Sequence, residues 1–272
     1  MFDFSVSISV YKNDNITFFK DAIESIIHQT LIPNEIILVV DGPVYDNMKS
    51  VIKGYDQNLD ILKVIWLDEN MGHGNARRIG LENCTNNLVA LMDSDDISLP
   101  DRFAKQIECF KRHPEVSIVG GYIDEFIDST NNIVGRRLVE LTDLDIKKYL
   151  KSRCPMNQVT VMFKKSDIIE VGGYIDWYNN EDYYLWARMC LADKIFMNLD
   201  EVLVHVRVGN EMYKRRGGWK YFKSEQELQK FLMKNNVINL FKYSYNVIIR
   251  FIIQVALPNN LRGFIFKTLF RS

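Results

Sequence analysis

Three carboxylates, Asp93, Asp95 and Asp96, fall within four positions directly after the apolar run Leu88–Met92. Like charges this close repel, and the cluster is costly unless a cation or hydrogen bonds compensate. Such a trio can hold a hard divalent ion and, through it, a phosphorylated ligand. Taken alone, D-x-D-D is also a common acidic turn in front of a helix. A second acidic pair, Glu181-Asp182, opens a helical pattern. Negative side chains are electrostatically favoured there in any case. Between the two lies Gly72-His73-Gly74-Asn75-Ala76-Arg77-Arg78. Its glycines permit a tight turn into a short helix, and the helix start with two arginines suits an anion. It is neither G-x-G-x-x-G nor a P-loop.

The elements around these residues say where they stand. Phe4–Tyr11 alternates and is β-rich, so it reads as a strand. Asn13, Asp14 or Asn15 could cap the helix whose apolar face is Ile16, Phe19, Ala22, Ile23, Ile26 and Ile27. Glu35–Val40 is a second, apolar strand ending in Asp41-Gly42-Pro43. Strand, amphipathic helix and strand make a βαβ unit with parallel pairing. A weaker helix at about Tyr45–Tyr55 and a third strand, Leu62–Leu67, precede the glycine turn and the helix Asn75–Asn83. Leu88–Met92 has no polar face and reads as a strand buried on both sides. The acidic trio then sits past its C-terminal end, where open α/β sheets bind ligands. Ser98 is the expected cap of a helix running to about His113. Beyond it the pattern predicts strands at Val116–Phe126, Ile133–Val139, Gln158–Lys164 and Phe196–His205. Helices are predicted at Thr142–Leu150 and Asp182–Leu191, with a helical turn at Ser166–Val171.

The chain has 272 residues, 47% hydrophobic and 25% charged, an ordinary globular composition. A net charge of −1 says nothing about partners. No nucleic-acid partner is expected. Cys84, Cys109, Cys154 and Cys190 are widely spaced without C-x-x-C, which suggests neither a zinc site nor a disulfide framework. Reduced thiols and a cytoplasmic setting are expected, and the N-terminus lacks the pattern of a signal peptide. After Glu227 there is no acidic residue, only Lys and Arg among apolar side chains. Asn246–Leu257 falls short of the ~20 residues of a spanning helix and is interrupted by Arg250 and Gln254. A cationic, apolar segment of this kind suits an anionic membrane surface. The other reading is a helical pair packed on the domain or on a second subunit.

Four segments in order resemble the family 2 glycosyltransferases. They are Ser25–Thr30 with Pro33–Gly42, Asn70-Met71-Gly72 with Ala76–Gly80, Asp93–Asp96 leading to Pro100-Asp101-Arg102, and Glu181-Asp182-Tyr183 with Leu185-Trp186. The resemblance covers about Ser5 to Asn210, and its closest flavour is bacterial exopolysaccharide or O-antigen synthesis. It implies an α/β GT-A fold, Rossmann-like, with a mostly parallel central sheet flanked by helices, to which the chain's own pattern adds a helical, cationic-apolar C-terminal tail. It implies a glycosyltransferase domain over 1–210, with a nucleotide-binding half (1–115) and an acceptor half (116–210); the membrane-surface segment expected over 211–272 comes from the tail's own composition. Ser9, Tyr11, Asp41, Arg77, Asp93 and Ser94 would bind the nucleotide. Asp95, with Asp93, would hold Mn²⁺ or Mg²⁺. Asp182 would be the catalytic base, and Glu181 and Trp186 would contact the acceptor.

The implied reaction is inverting transfer from a nucleotide-sugar, a UDP-sugar first, to an acceptor hydroxyl. The acceptor would be a saccharide on polyprenyl diphosphate, met at the inner face of the cytoplasmic membrane. The chain departs from the family's D-D-G-S at Val40-Asp41-Gly42-Pro43, which leaves one carboxylate. His205 stands near the family's late histidine but not at its spacing, and no ligand role is assigned to it. Arg215-Arg216-Gly217-Gly218-Trp219 only faintly resembles the Q-x-x-R-W of processive members, so processivity is not expected. Two other readings stay open. A sugar-phosphate nucleotidyltransferase would need a glycine-rich loop after the first strand, where Tyr11–Asn15 has no glycine. A non-catalytic nucleotide-sugar-binding protein would not need both acidic sites.

Overall fold

The computed structural model describes residues 2–209 and 217–257. Four strands, β1 (Phe4–Tyr11), β2 (Glu35–Asp41), β3 (Leu62–Trp66) and β4 (Leu88–Met92), pair in parallel in the order β3-β2-β1-β4. Helices α1 (Ile16–Ile27), α2 (Asp46–Asn58) and α3 (His73–Asn83) are the crossovers. Asn15 caps α1, its side chain accepting from the Thr17 and Phe18 amides. β4 is buried along its whole length, as its unbroken apolar pattern requires.

Beyond β4 the sheet becomes mixed. β8 (Met162–Lys164) pairs antiparallel with β4 and with β6 (Ile118–Phe126). β6 takes the hairpin strand β7 (Ile133–Arg137) on one side and runs parallel to β9 (Phe196–Arg207) on the other. The short β5 (Ile97–Ser98) closes the order against β9. Two apolar layers cover the sheet. Phe4, Val6, Ile8 and Val10 meet α1, α2 and α4 (Arg102–Arg112) on one face. Ile37, Val39, Val89 and Leu91 meet α3, α5 (Asp143–Leu150), α6 (Lys165–Glu170) and α7 (Glu181–Leu191) on the other.

Two local expectations are corrected. Ser98 does not cap α4. Its backbone is drawn into pairing with Val204 of β9, its amide donates to Ser25 Oγ, and α4 begins at Arg102. The strand expected from Gln158 begins only at Met162. Gln158–Thr160 is a single 3₁₀ turn, closed by the Thr160 amide and hydroxyl on the Asn157 carbonyl. All four cysteines are free thiols.

The C-terminal region folds onto the domain. α8 (Trp219–Lys234) inserts Leu228 and Leu232 beside Leu185 and Trp186 in the second core layer. α9 (Leu240–Phe251) packs along α8 and ends in a π turn, Ile252–Ala256. Among the described residues no helix is long and apolar enough to cross a membrane. The basic stretch Met212–Arg216 and the cations Arg262, Lys267 and Arg271 lie outside the described residues.

Candidate active site

The C-terminal ends of the parallel strands bring the first group of residues together. Tyr11 and Asp41 are direct partners across β1 and β2, and Ser9 lies one pleat earlier on the same face as Tyr11. Asp41 is buried and its carboxylate holds the loop after β3. Oδ1 accepts from the Met71 amide at 2.7 Å, and Oδ2 accepts from the Gly72 amide and the Asn70 side chain, each at 3.1 Å. Gly42 adopts φ +84°, and a Cβ there would stand 2.6 Å from the Asn70 nitrogen. Only glycine lets the two loops come this close.

That loop launches α3, which carries Arg77 into the centre of the site. Arg77 is buried and donates from Nη2 to Asp93 Oδ1 at 2.9 Å and from Nη1 to Glu181 Oε1 at 3.0 Å. His73 Nδ1 stands 3.3 Å from the same Glu181 oxygen. Burial works against the guanidinium charge, but Asp93 and Glu181 more than offset it and raise its pKa further. Burial likewise opposes the Glu181 charge, yet the His73 hydrogen bond and Arg77 hold that carboxyl well below the usual range. Glu181 is therefore an ionised strut between two helices.

The acidic loop divides its carboxylates. Asp93 faces Arg77 with one oxygen. Asp96 is buried and accepts from the Arg207 amide at 2.8 Å, which ties the loop to the end of β9. Burial, then the charges of Asp95 and Asp93, pushes the Asp96 pKa well up. Asp95 reaches solvent. Desolvation of its carboxyl, then the charges of Asp93 and Asp14, push it up to about 6. Ser94 is turned toward Asp14, donating to its Oδ2 at 2.7 Å.

Asp182 sits one residue into α7, partly buried, with Oδ1 accepting from the Tyr183 amide at 2.6 Å. The Cys154 thiol lies 3.5 Å from Oδ2. Burial and the adjacent Glu181 charge raise the Asp182 pKa, partly offset by Arg77. A cavity of about 550 Å³ takes in Asp93, Asp96 and Asp182 and runs out to Tyr245 and Ile249 of α9. That volume lies within the usual range of small-molecule sites. Trp186 is not brought to it. The indole is fully buried in the core beside Leu185 and Met189, so it supports α7 by packing.

The sequence reading missed Asp14 and Arg207. Asp14 lies in the turn read only for a helix cap, and Asn15 caps α1 instead. Asp14 is then left to accept from Ser94 and from the Tyr11 amide at 3.1 Å. Arg207 lies two residues beyond His205, on the same side of β9. It stacks 3.8 Å over Phe18, pairs with Asp21 at 3.0 Å and donates to the Asp95 carbonyl at 3.2 Å. His205 itself stacks against Phe126 at 6.3 Å. The alternation Val202, Val204, Val206 against Leu203, His205, Arg207, which puts Arg207 on the side of His205, was the available signal for it.

The chain aligns over 98% of its length, at 36% identity, with the UDP-Gal:alpha-D-GlcNAc-diphosphoundecaprenol beta-1,3-galactosyltransferase of Escherichia coli, covering 96% of that protein. It is 40% identical over 225 residues to the amylovoran biosynthesis glycosyltransferase AmsE of Erwinia amylovora, covering 83% of this chain and 84% of AmsE. Among solved structures, the mannosyltransferase PcManGT of Pyrobaculum calidifontis, in complex with GDP-Man and Mn²⁺, superposes with a TM-score of 0.62. That match covers 95% of this chain and 71% of the other, at 15% identity, and shows a shared GT-A fold. The Glycosyl transferase family 2 model matches residues 5–171, more than half of the chain and both the Arg77 helix and the acidic loop, so the protein belongs to glycosyl transferase family 2.

Proposed function

We propose that this transferase moves a sugar from a UDP-sugar to a hydroxyl of a lipid-linked saccharide, by a single inverting displacement, at the cytoplasmic face of a membrane. The observation that carries the reading is the placement of Asp182. A carboxylate with a raised pKa lines the same cavity as Asp93, and Arg77 with Glu181 fixes the two ends relative to each other. A raised pKa improves a carboxylate as a proton acceptor near neutral pH. The diphosphoundecaprenol-linked substrate and UDP donor of the 36% identical relative support the acceptor and donor classes.

A divalent ion suits the donor end. Among the described residues no cluster of three or more His, Cys, Asp or Glu could cage a metal. Mg²⁺ and Mn²⁺, however, are commonly held by one or two carboxylates together with phosphate. Asp95 is accessible and crowded by the negative charges of Asp93 and Asp14, carboxylates of the oxygen-donor kind that a hard cation takes. Asp95 with Asp93 would hold the ion, and the Mn²⁺ named with PcManGT supports the choice. Such an ion supplies Lewis-acid stabilisation of a leaving diphosphate.

The chain's own groups do the rest. Tyr11 and the Asp41-braced loop form the bed for the nucleoside, with Ser9 behind Tyr11. The Ser94 bond to Asp14 fixes the acidic loop beneath the diphosphate, and the Arg77 charge stands next to Asp93. Asp182 takes the proton from the attacking hydroxyl, a step worth about 10²–10⁴-fold. With Asp182 acting as the base and no covalent intermediate, a single displacement inverts the anomeric centre. Glu181 and Trp186 act on the acceptor through α7, which they brace.

The test is Asp182→Asn, assayed with UDP-sugars and Mn²⁺ on a short-chain diphosphate-linked acceptor. Transfer should fall at least ~10²-fold while thermal stabilisation by the UDP-sugar is retained. Full transfer by this variant removes Asp182 from the reaction.

A further inference from the structure

Helix α9 is built inside out. Its buried side is polar: Asn246 and Arg250 are 3% and 9% exposed, and Gln254, in the π turn behind them, is 4% exposed. Each is hydrogen-bonded to the domain or to α8. Asn246 donates to the Lys151 carbonyl and to Gln229, Arg250 to the Ser152 carbonyl and to Glu225, and Gln254 to Glu225. Its outer side is apolar: Phe241 is 82% exposed, Leu240 67%, Ile248 57%, Tyr245 55% and Ile252 43%. At 3.6 residues per turn these positions share one half of the helix circumference. A helix on a water-facing surface has the opposite arrangement.

The surrounding charge says which apolar phase fits. Among the described residues from Leu228 on, the charged side chains are Lys230, Lys234, Lys242 and Arg250, none is acidic, and Arg250 alone is turned inward, onto Glu225. Two copies meeting on this face would bring like charges together, whereas an anionic lipid surface attracts them. Trp219, 59% exposed, stacks with Phe222 and Phe251 at 5.9 and 5.8 Å at the edge of the same region. Aromatic rings of this kind favour the headgroup level. At twelve residues α9 is too short to span a bilayer, so it would lie along one. The apolar face is also continuous with the cavity, because Lys242, Tyr245 and Ile249 belong to both the outer edge of α9 and the cavity wall.

We propose that the outer face of α9 docks on an anionic lipid bilayer and holds the mouth of the cavity at headgroup level. Lipid binding stands on the helix alone. The purpose of the cavity mouth rests on the transferase reading above.

The experiment uses the full chain and a Phe241→Ser/Ile248→Ser/Ile252→Ser variant, whose three positions are exposed and outside the cavity wall. Sedimentation with phosphatidylglycerol vesicles is compared with sedimentation with phosphatidylcholine vesicles. Transfer is measured to a short-chain soluble acceptor and to a long-chain acceptor embedded in vesicles. The wild type should sediment with the anionic vesicles, and the variant should lose roughly tenfold or more in partitioning, given the apolar area removed. The variant should keep its Tm and its rate on the soluble acceptor and lose rate on the embedded one. A wild type left in the supernatant overturns the proposal. So does a variant that binds vesicles as tightly, or one in which the only change is a dimer becoming a monomer. Lost vesicle binding with no transfer to either acceptor leaves the docking surface standing and sinks the transferase reading instead.

Discussion

Arg77 Nη1 lies 3.0 Å from Glu181 Oε1 across 104 positions of sequence, and the same guanidinium reaches Asp93 at 2.9 Å. One side chain thereby sets the distance between the acidic loop after β4 and the N-terminus of α7. The Asp93 and Asp182 ends of the cavity are tied by a buried charge rather than by chain connectivity.

Arg77→Gln should therefore act on both ends at once. Glu181 would be left as a buried charge without one of its two partners, a loss of about 3 kcal/mol. Urea unfolding should show that loss, and the variant should lose both UDP-sugar binding and transfer. A variant with intact stability would mean that His73 alone satisfies Glu181.

The Asp95 contribution to the stability of the ligand-free protein, read as wild type against Asp95→Asn, should fall as pH rises from about 4 to about 6. Asp95 is pushed up to about 6 from an ordinary 3.8. In that window the folded state keeps a proton that the unfolded chain has released, so raising the pH favours unfolding. Mn²⁺ with UDP should reverse the slope, because a cation favours the ionised carboxylate. Tm of both proteins measured from pH 4 to 7.5, with and without Mn²⁺ and UDP, checks both signs.

Gly42→Ala tests the loop that Asp41 braces. Its φ of +84° and the 2.6 Å approach to the Asn70 backbone leave no room for a methyl group. The backbone strain alone costs about 1–3 kcal/mol. Nucleotide affinity should fall with stability, while the acceptor KM, read at saturating donor, should change little.

Glu225→Gln tests the C-terminal wall of the cavity. Glu225 Oε2 accepts from Arg250 at 2.6 Å and from Gln254 at 2.8 Å, pinning α9 to α8. Removing the charge leaves Arg250 uncompensated, at a cost of about 2 kcal/mol or more. Hydrogen exchange should quicken in residues 240–256, and acceptor KM should rise with donor KM unchanged. Equal rises in both constants would place the defect elsewhere.

Much of this architecture was legible before any coordinate. Alternation in Phe4–Tyr11, the apolar runs Glu35–Val40 and Leu88–Met92, and the helical face from Ile16 to Ile27 are local signals, and each became the element they imply. Buried parallel strands need apolar side chains on both faces, so their pattern survives in the sequence. The placing of the acidic trio past a strand end followed from the same signals. Ser98 and Gln158 were misread because their environments are non-local. The pairing of Ser98 with Val204 joins residues more than a hundred positions apart and overrides a good capping sequence. The 3₁₀ turn at Gln158 depends on Asn157 and Thr160 packing under β6, where Thr160 receives the Gly121 amide.

The sequence by itself determined the strand and helix periods, the family resemblance and the positions of the carboxylates. Tertiary structure alone decided their roles. It turned Glu181 inward onto Arg77, bonded Asp96 to the Arg207 amide, freed Asp14 for Ser94 and removed Trp186 to the core. It also decided which side of α9 faces outward. The physical reason is the same throughout: a charged or polar side chain takes its meaning from the partner that satisfies it, and these partners are brought within 3 Å or so only by the fold.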